Sequence, residues 1–90
     1  DLKVKAIDEE TRAQLNIGAK TAGVLVAHVQ AGSPAEQAGL QRGDVIQEVN
    51  RHPVMGIKDY DAAAAKIKKE ENAVLLVNRQ GNTLFIVINP

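Results

Sequence analysis

Between Gly32 and Asn50 the chain reads GSPAEQAGLQRGDVIQEVN, and no other stretch limits its fold as tightly. Ser33-Pro34 is a helix start: a serine oxygen can accept from an orphan backbone N–H, and proline at the first helical position forfeits no bond. Gly39 is placed to take the left-handed conformation that closes a helix, and Leu40 can fold back onto it. Gly43-Asp44 makes a second turn, and Val45-Ile46-Gln47-Glu48-Val49 is rich in β-branched residues and reads as a strand. Stops this close together permit only short elements, so the chain must wrap a small core with several of them.

The flanks supply those elements. Leu2-Lys3-Val4-Lys5-Ala6-Ile7 alternates apolar and charged residues, the period of a half-exposed strand. Asp8 resembles an N-cap, with Glu9 and Glu10 in the first turn that follows. That segment is expected to make one or two helical turns, to bury Ala13, Leu15 and Ile17, and to stop at Gly18. Gly23–Val29 is a β-branched run that reads as a strand covered on both faces. Asn50–Pro53 is a turn, and Val54 can add only a short strand. Gly56 is expected to cap a longer helix from Ile57 to about Lys69, with Tyr60, Ala64 and Ile67 on one face and Lys66, Lys68 and Lys69 favouring its C-terminal end. Two strands finish the chain, Ala73–Asn78 and Thr83–Asn89, joined by a turn at Gln80-Gly81-Asn82. The order suits a mostly β, α+β domain: a partly open, five- to six-stranded β-sandwich or barrel closed by one short and one longer helix.

Ninety residues make a single small domain. Its core must be aliphatic, since Tyr60 and Phe85 are the only aromatics. Eleven basic residues balance eleven acidic ones. Zero net charge without a basic block argues against nucleic acid and against an anionic membrane surface. No apolar run approaches the ~20 residues of a spanning helix. With no cysteine, disulfides, thiolate metal sites and a cysteine nucleophile are excluded. A chain that opens on Asp1 without an initiating methionine is expected to be a piece of a longer protein.

Catalytic chemistry finds little support. Ser33 is the only serine, and capping accounts for it. His28 lies in an apolar strand and His52 in a turn, with no ligand spacing to another donor. Asp59 and Asp61 are explained by the first turn of a helix, and Glu70 and Glu71 by a solvated helix end. Gly39 and Gly43 match no phosphate-binding glycine pattern. No catalytic residue, metal site or cofactor is expected.

Ser33–Asn50 does, however, closely resemble the signature of PDZ domains: an apolar strand, an SPA helix start, AGL, GD, an apolar pair and VN. The rest of the chain follows in the family's order. Nothing precedes the Leu2 strand and an extra strand closes the chain, as in the circularly permuted PDZ domains of bacterial proteases. AIDEETRAQLNI, after the first strand, is most similar to the PDZ domains of HtrA/Deg-type envelope serine proteases, with the second such domain the nearer match.

The resemblance implies one PDZ domain over residues 1–90. It implies binding of C-terminal or unfolded peptide segments by strand addition, in which backbone bonds give affinity and pockets give specificity. It places the strand edge at Leu2, Lys3, Val4, Lys5 and Ala6, and the groove-lining helix face at Tyr60, Ala64, Ile67 and Lys68. Asp1 falls at the end of the carboxylate-holding loop, where the family usually has glycine. Tyr60, Ala64 and Ile67 are equally what such a helix would bury in its own core, and both readings stand at this stage. A bulky apolar terminal residue is the expected ligand preference. The parent would be a periplasmic serine endopeptidase of protein quality control, its catalytic domain outside this chain. The alternative is an assembly or regulatory module that docks on neighbouring protease or PDZ domains and binds no free peptide.

Overall fold

A computed structural model describes residues 2–68 and 70–89. Among them the elements run β1 (Leu2–Ala6), α1 (Glu9–Leu15), β2 (Val24–Val29), α2 (Pro34–Gln37), β3 (Val45–Val49), β4 (His52–Pro53), α3 (Ile57–Ala65), β5 (Ala73–Arg79) and β6 (Asn82–Ile88). All strand pairings are antiparallel. One sheet runs β1-β2-β3-β5-β6, with β4 hung on β3. It is open, with β1 and β6 at its two edges. The mostly β, partly open fold expected from the sequence is therefore the one observed, with α1 as a further short helix.

The core is aliphatic. Val24, Val26, Ile46, Val49, Val54, Leu75, Val77 and Ile86 pack with Ala35, Leu40 and Ala63. Val24, Leu25 and Val26 are buried, so β2 is covered on both faces in its first half; His28 in its second half is exposed. Burying a side chain such as Ile46 contributes about 2 kcal/mol.

The caps are where the sequence puts them. Ser33 Oγ accepts from the Glu36 N–H at 3.3 Å, Pro34 opens α2, and Gly39 follows it at φ 98°. Asp8 Oδ1 accepts from the Thr11 N–H at 2.7 Å. Hydrogen bonding to Thr11, through its side chain first and this backbone N–H second, lowers the Asp8 pKa below its ordinary 3.8, so the cap is retained above that pH and lost as pH falls through the lowered value.

Several details differ from expectation. Helix α1 ends at Asn16, which takes the left-handed conformation (φ 57°) and donates its N–H to the Arg12 carbonyl; Gly18 lies beyond. Its buried residue is Thr11, while Leu15 stays 45% exposed. Arg12 ties the segment down instead, donating through Nη1 to the carbonyls of Gly18 and Thr21, each at 2.7 Å. Helix α3 stops at Ala65, because Lys66 and Ile67 donate to the carbonyls three residues back, both at 3.2 Å. Lys66 and Lys68 thus follow the helix, and Lys69 lies outside the described residues. Val54 is core, and the short strand is His52–Pro53.

Asn50 and Arg51 form the two-residue β3–β4 turn, both at positive φ (48° and 69°). The Asn50 side chain accepts from the Val74 N–H and its own N–H donates to the Val74 carbonyl, each at 2.7 Å. This is the physical content of the terminal asparagine in QEVN. Asn50→Ala removes one bond and leaves a less tolerant residue in a left-handed turn, an expected loss of about 2 kcal/mol by urea denaturation.

Candidate peptide groove and family

β1 is an edge strand. It pairs with β2 from Leu2↔Val29 to Ala6↔Val24, with an irregularity between Lys3 and Val4. Leu2 and Val4 are half-buried against the core, whereas Lys3 and Lys5 are exposed. Helix α3 lies beside β1 and β3. An extended edge flanked by an amphipathic helix is the geometry in which a further strand can be added.

Along α3, Ala63 faces the core and is buried. Ile57, Tyr60 and Ile67 are half-buried and pack against the core cluster. Desolvation, with a smaller contribution from the Asp61 carboxylate, pushes the Tyr60 hydroxyl pKa up. Tyr60 is the only tyrosine and there is no tryptophan, so tyrosinate absorbance reads this residue alone. The expected midpoint lies above 10, and denaturing the chain brings it down.

Ala64, Ile67 and Lys68 share a shallow hollow of about 320 Å³ with Pro34, Glu71, Ala73, Ile88 and Asn89. It opens toward α2 and the end of β6, and neither β1 nor Tyr60 lines it. The helix residues singled out from spacing are thus divided: Tyr60 packs on the core cluster, while Ala64 and Lys68 border this hollow. Ile67 does both. Asp1 lies outside the described residues. A larger hollow, about 590 Å³, is at the opposite end among Asn16–Gly18, Gln41–Val45 and the β5–β6 turn, and contains none of the groove candidates.

The sequence reading missed one polar cluster. Asp44 is 2% exposed and is gripped bidentately by Arg79, with Nε to Oδ1 at 2.8 Å and Nη2 to Oδ2 at 2.7 Å. Oδ2 also accepts from the Gln41 N–H at 2.9 Å, and Arg79 Nη2 donates to the Gly39 carbonyl at 2.9 Å. The hydrogen bonds to Asp44, and with them its charge, raise the Arg79 pKa against the opposing effect of its burial. The cluster fastens the AGL–GD loop to β5. Ser33, the one candidate nucleophile considered, is buried in its cap. No group of acidic or histidine side chains among the described residues is placed to hold a metal ion.

Comparison with known proteins agrees with this fold. A family model described as PDZ domain matches residues 25–79. A probable periplasmic serine endoprotease, DegP-like, of Chlamydia trachomatis serovar D is 37% identical over 87 residues, 97% of this chain and 17% of its own length. The chain thus spans less than a fifth of the curated DegP-like relatives first matched. The HtrA-type protease AlgW, solved with a decapeptide, superposes with a TM-score of 0.87 at 27% identity, covering 98% of this chain and 27% of that one. The HtrA3 PDZ domain bound to the phage-derived ligand FGRWV gives 0.76 at 25% identity, covering 99% and 80%. With strand order, central motif and family match in accord, the chain belongs to the PDZ domain family and is similar over nearly its whole length to the PDZ domains of HtrA/DegP-type proteases.

Proposed function

We propose that the domain binds an extended or C-terminal peptide segment as an added strand along β1, with α3 as the opposite wall. The observation that carries this reading is the edge position of β1 beside α3, in a fold whose relatives AlgW and HtrA3 were solved with peptides. Backbone groups along Lys3–Ala6 supply the pairing, and Leu2 and Val4 supply apolar flooring. On the helix side Tyr60 and Ala64 of α3, with Ile67 and Lys68 just beyond its end, form the wall, and the small Ala64, which borders the hollow toward α2, leaves room for a bulky apolar side chain. Strand addition along β1 carries the affinity, whether or not the segment ends in a free carboxylate. With no histidine at the Tyr60 position, a ligand hydroxyl gains no special partner.

In the parent protein this domain recruits substrate segments to a serine endopeptidase of the periplasm. The DegP-like names of the relatives support that setting.

Tyr60→Ala is the test on the helix side. Loss of its contact area is expected to weaken binding of a peptide with an apolar C terminus about tenfold, or about 1.4 kcal/mol. Unchanged affinity in a folded variant would remove Tyr60 from the groove. In the parent enzyme, a deletion of this domain that changed oligomer size but left substrate capture intact would favour the assembly role instead.

A further inference from the structure

The two edges of the sheet are built differently. β1 carries Lys3 and Lys5, whose charges discourage pairing with a second copy. A twofold pairing of β1 centred on Val4 would set Lys3 directly opposite Lys5, a like-charge pair. β6, at the other edge, reads NTLFIVI, with no charge and no proline. Its pairing with β5 is regular throughout, from Ala73↔Ile88 to Arg79↔Asn82. No bulge, lysine or proline blunts it.

The outer face of the same strand is apolar. Phe85 is 69% exposed and Val87 46% exposed. Their partners across the ladder, Leu76 and Val74, are half-buried on that face. Helix α2 lies near the Ile88 end of β6, beside Asn89, so the accessible edge is the Thr83–Val87 span.

We propose that this edge is a self-association surface: β6 pairs antiparallel with β6 of a second copy of the chain, about a twofold axis at Phe85. The sequence is self-complementary in that register. Phe85 meets Phe85, Thr83 meets Val87, and Leu84 meets Ile86, so apolar rows continue on both faces and no like charges are opposed. An isologous strand pair of this kind is closed and yields a dimer. A single pair of five-residue strands is a small contact beside the ~1,200 Å² of small stable interfaces, so the free chain associates weakly and the contact matters where copies are held close together. The surface is separate from the β1 groove, and peptide binding leaves it available.

The test is sedimentation of the chain across a concentration series reaching the millimolar range, with amide NMR on the same samples. The expected result is a concentration-dependent shift toward dimer, with amide changes concentrated at Thr83–Val87. Phe85→Lys is expected to abolish it, as is Phe85→Glu, because each opposes like charges on the axis. Mixing the two variants is expected to restore a dimer. Phe85 is exposed, so both variants should fold, and thermal melting checks that. A chain that stays monomeric throughout, amide changes at β1 instead, or a dimer indifferent to Phe85→Lys would each overturn the proposal.

Discussion

Gly23→Ala is expected to cost at least about 3 kcal/mol, a large part of the stability of a domain this small. Gly23 sits at φ 146° just before β2, a conformation that side-chain-bearing residues resist. A β-carbon there would collide with the Ile46 carbonyl oxygen and lie 3.0 Å from Val45 Cγ1. The colliding groups belong to β3 at the point where Val24 pairs with Ile46, so relief means separating the two central strands. Gly32→Ala is the control. Gly32 also has positive φ, but a β-carbon there meets nothing within 4 Å, and its cost should stay near 1 kcal/mol. Urea denaturation of both variants checks the contrast, and equal losses would contradict it.

The second large effect is expected at Asp44. Asp44→Ala removes both oxygens from Arg79 and leaves the Gln41 N–H without its acceptor. A fully buried pair broken in this way costs about 3–5 kcal/mol. The Arg79 side chain is 30% exposed and can rehydrate, so about 2–3 kcal/mol is expected here. Asp44→Asn keeps acceptor and shape and should lose about half as much. Arg79→Lys cannot reproduce the two-pronged grip and should fall with Asp44→Asn. Melting of the three variants orders them, and an Asp44→Ala loss below 1 kcal/mol would show that the AGL–GD loop does not depend on the pair.

These two positions also show what the sequence makes legible. The punctuation from Ser33 to Asn50 could be read because its causes are local: a cap oxygen, a proline ring and positive-φ turns all act within a few residues. The strands could be read because β-branched runs and alternation are local too. Asp44–Arg79 could not, since its partners lie far apart in sequence and meet only when β5 is laid beside β3. The collision at Gly23 is likewise a property of strand pairing. The short helix α1 is where the sequence puts it, but the buried face expected of it fails for a related reason: its apolar residues suggest one, while Arg12 and the left-handed Asn16 hold it by hydrogen bonds. Helix α3 stopped short of Lys69 because its last bonds tighten to three-residue spacing, which lysines do not signal. On the candidate groove, spacing separated core from wall poorly, because Tyr60 and Ile67 pack on the core cluster that any helix of this pattern would meet.

The most direct measurement is an amide NMR titration of this chain with a short peptide ending in valine, as free acid and as C-terminal amide, at concentrations too low for self-association. Shifts along Lys3–Ala6 and Tyr60–Lys68 are expected with both forms. A stronger response to the free acid would add recognition of the terminus to strand addition. Shifts confined to β6, or none with either peptide, would contradict the β1 groove and with it the assignment of this domain as a peptide binder.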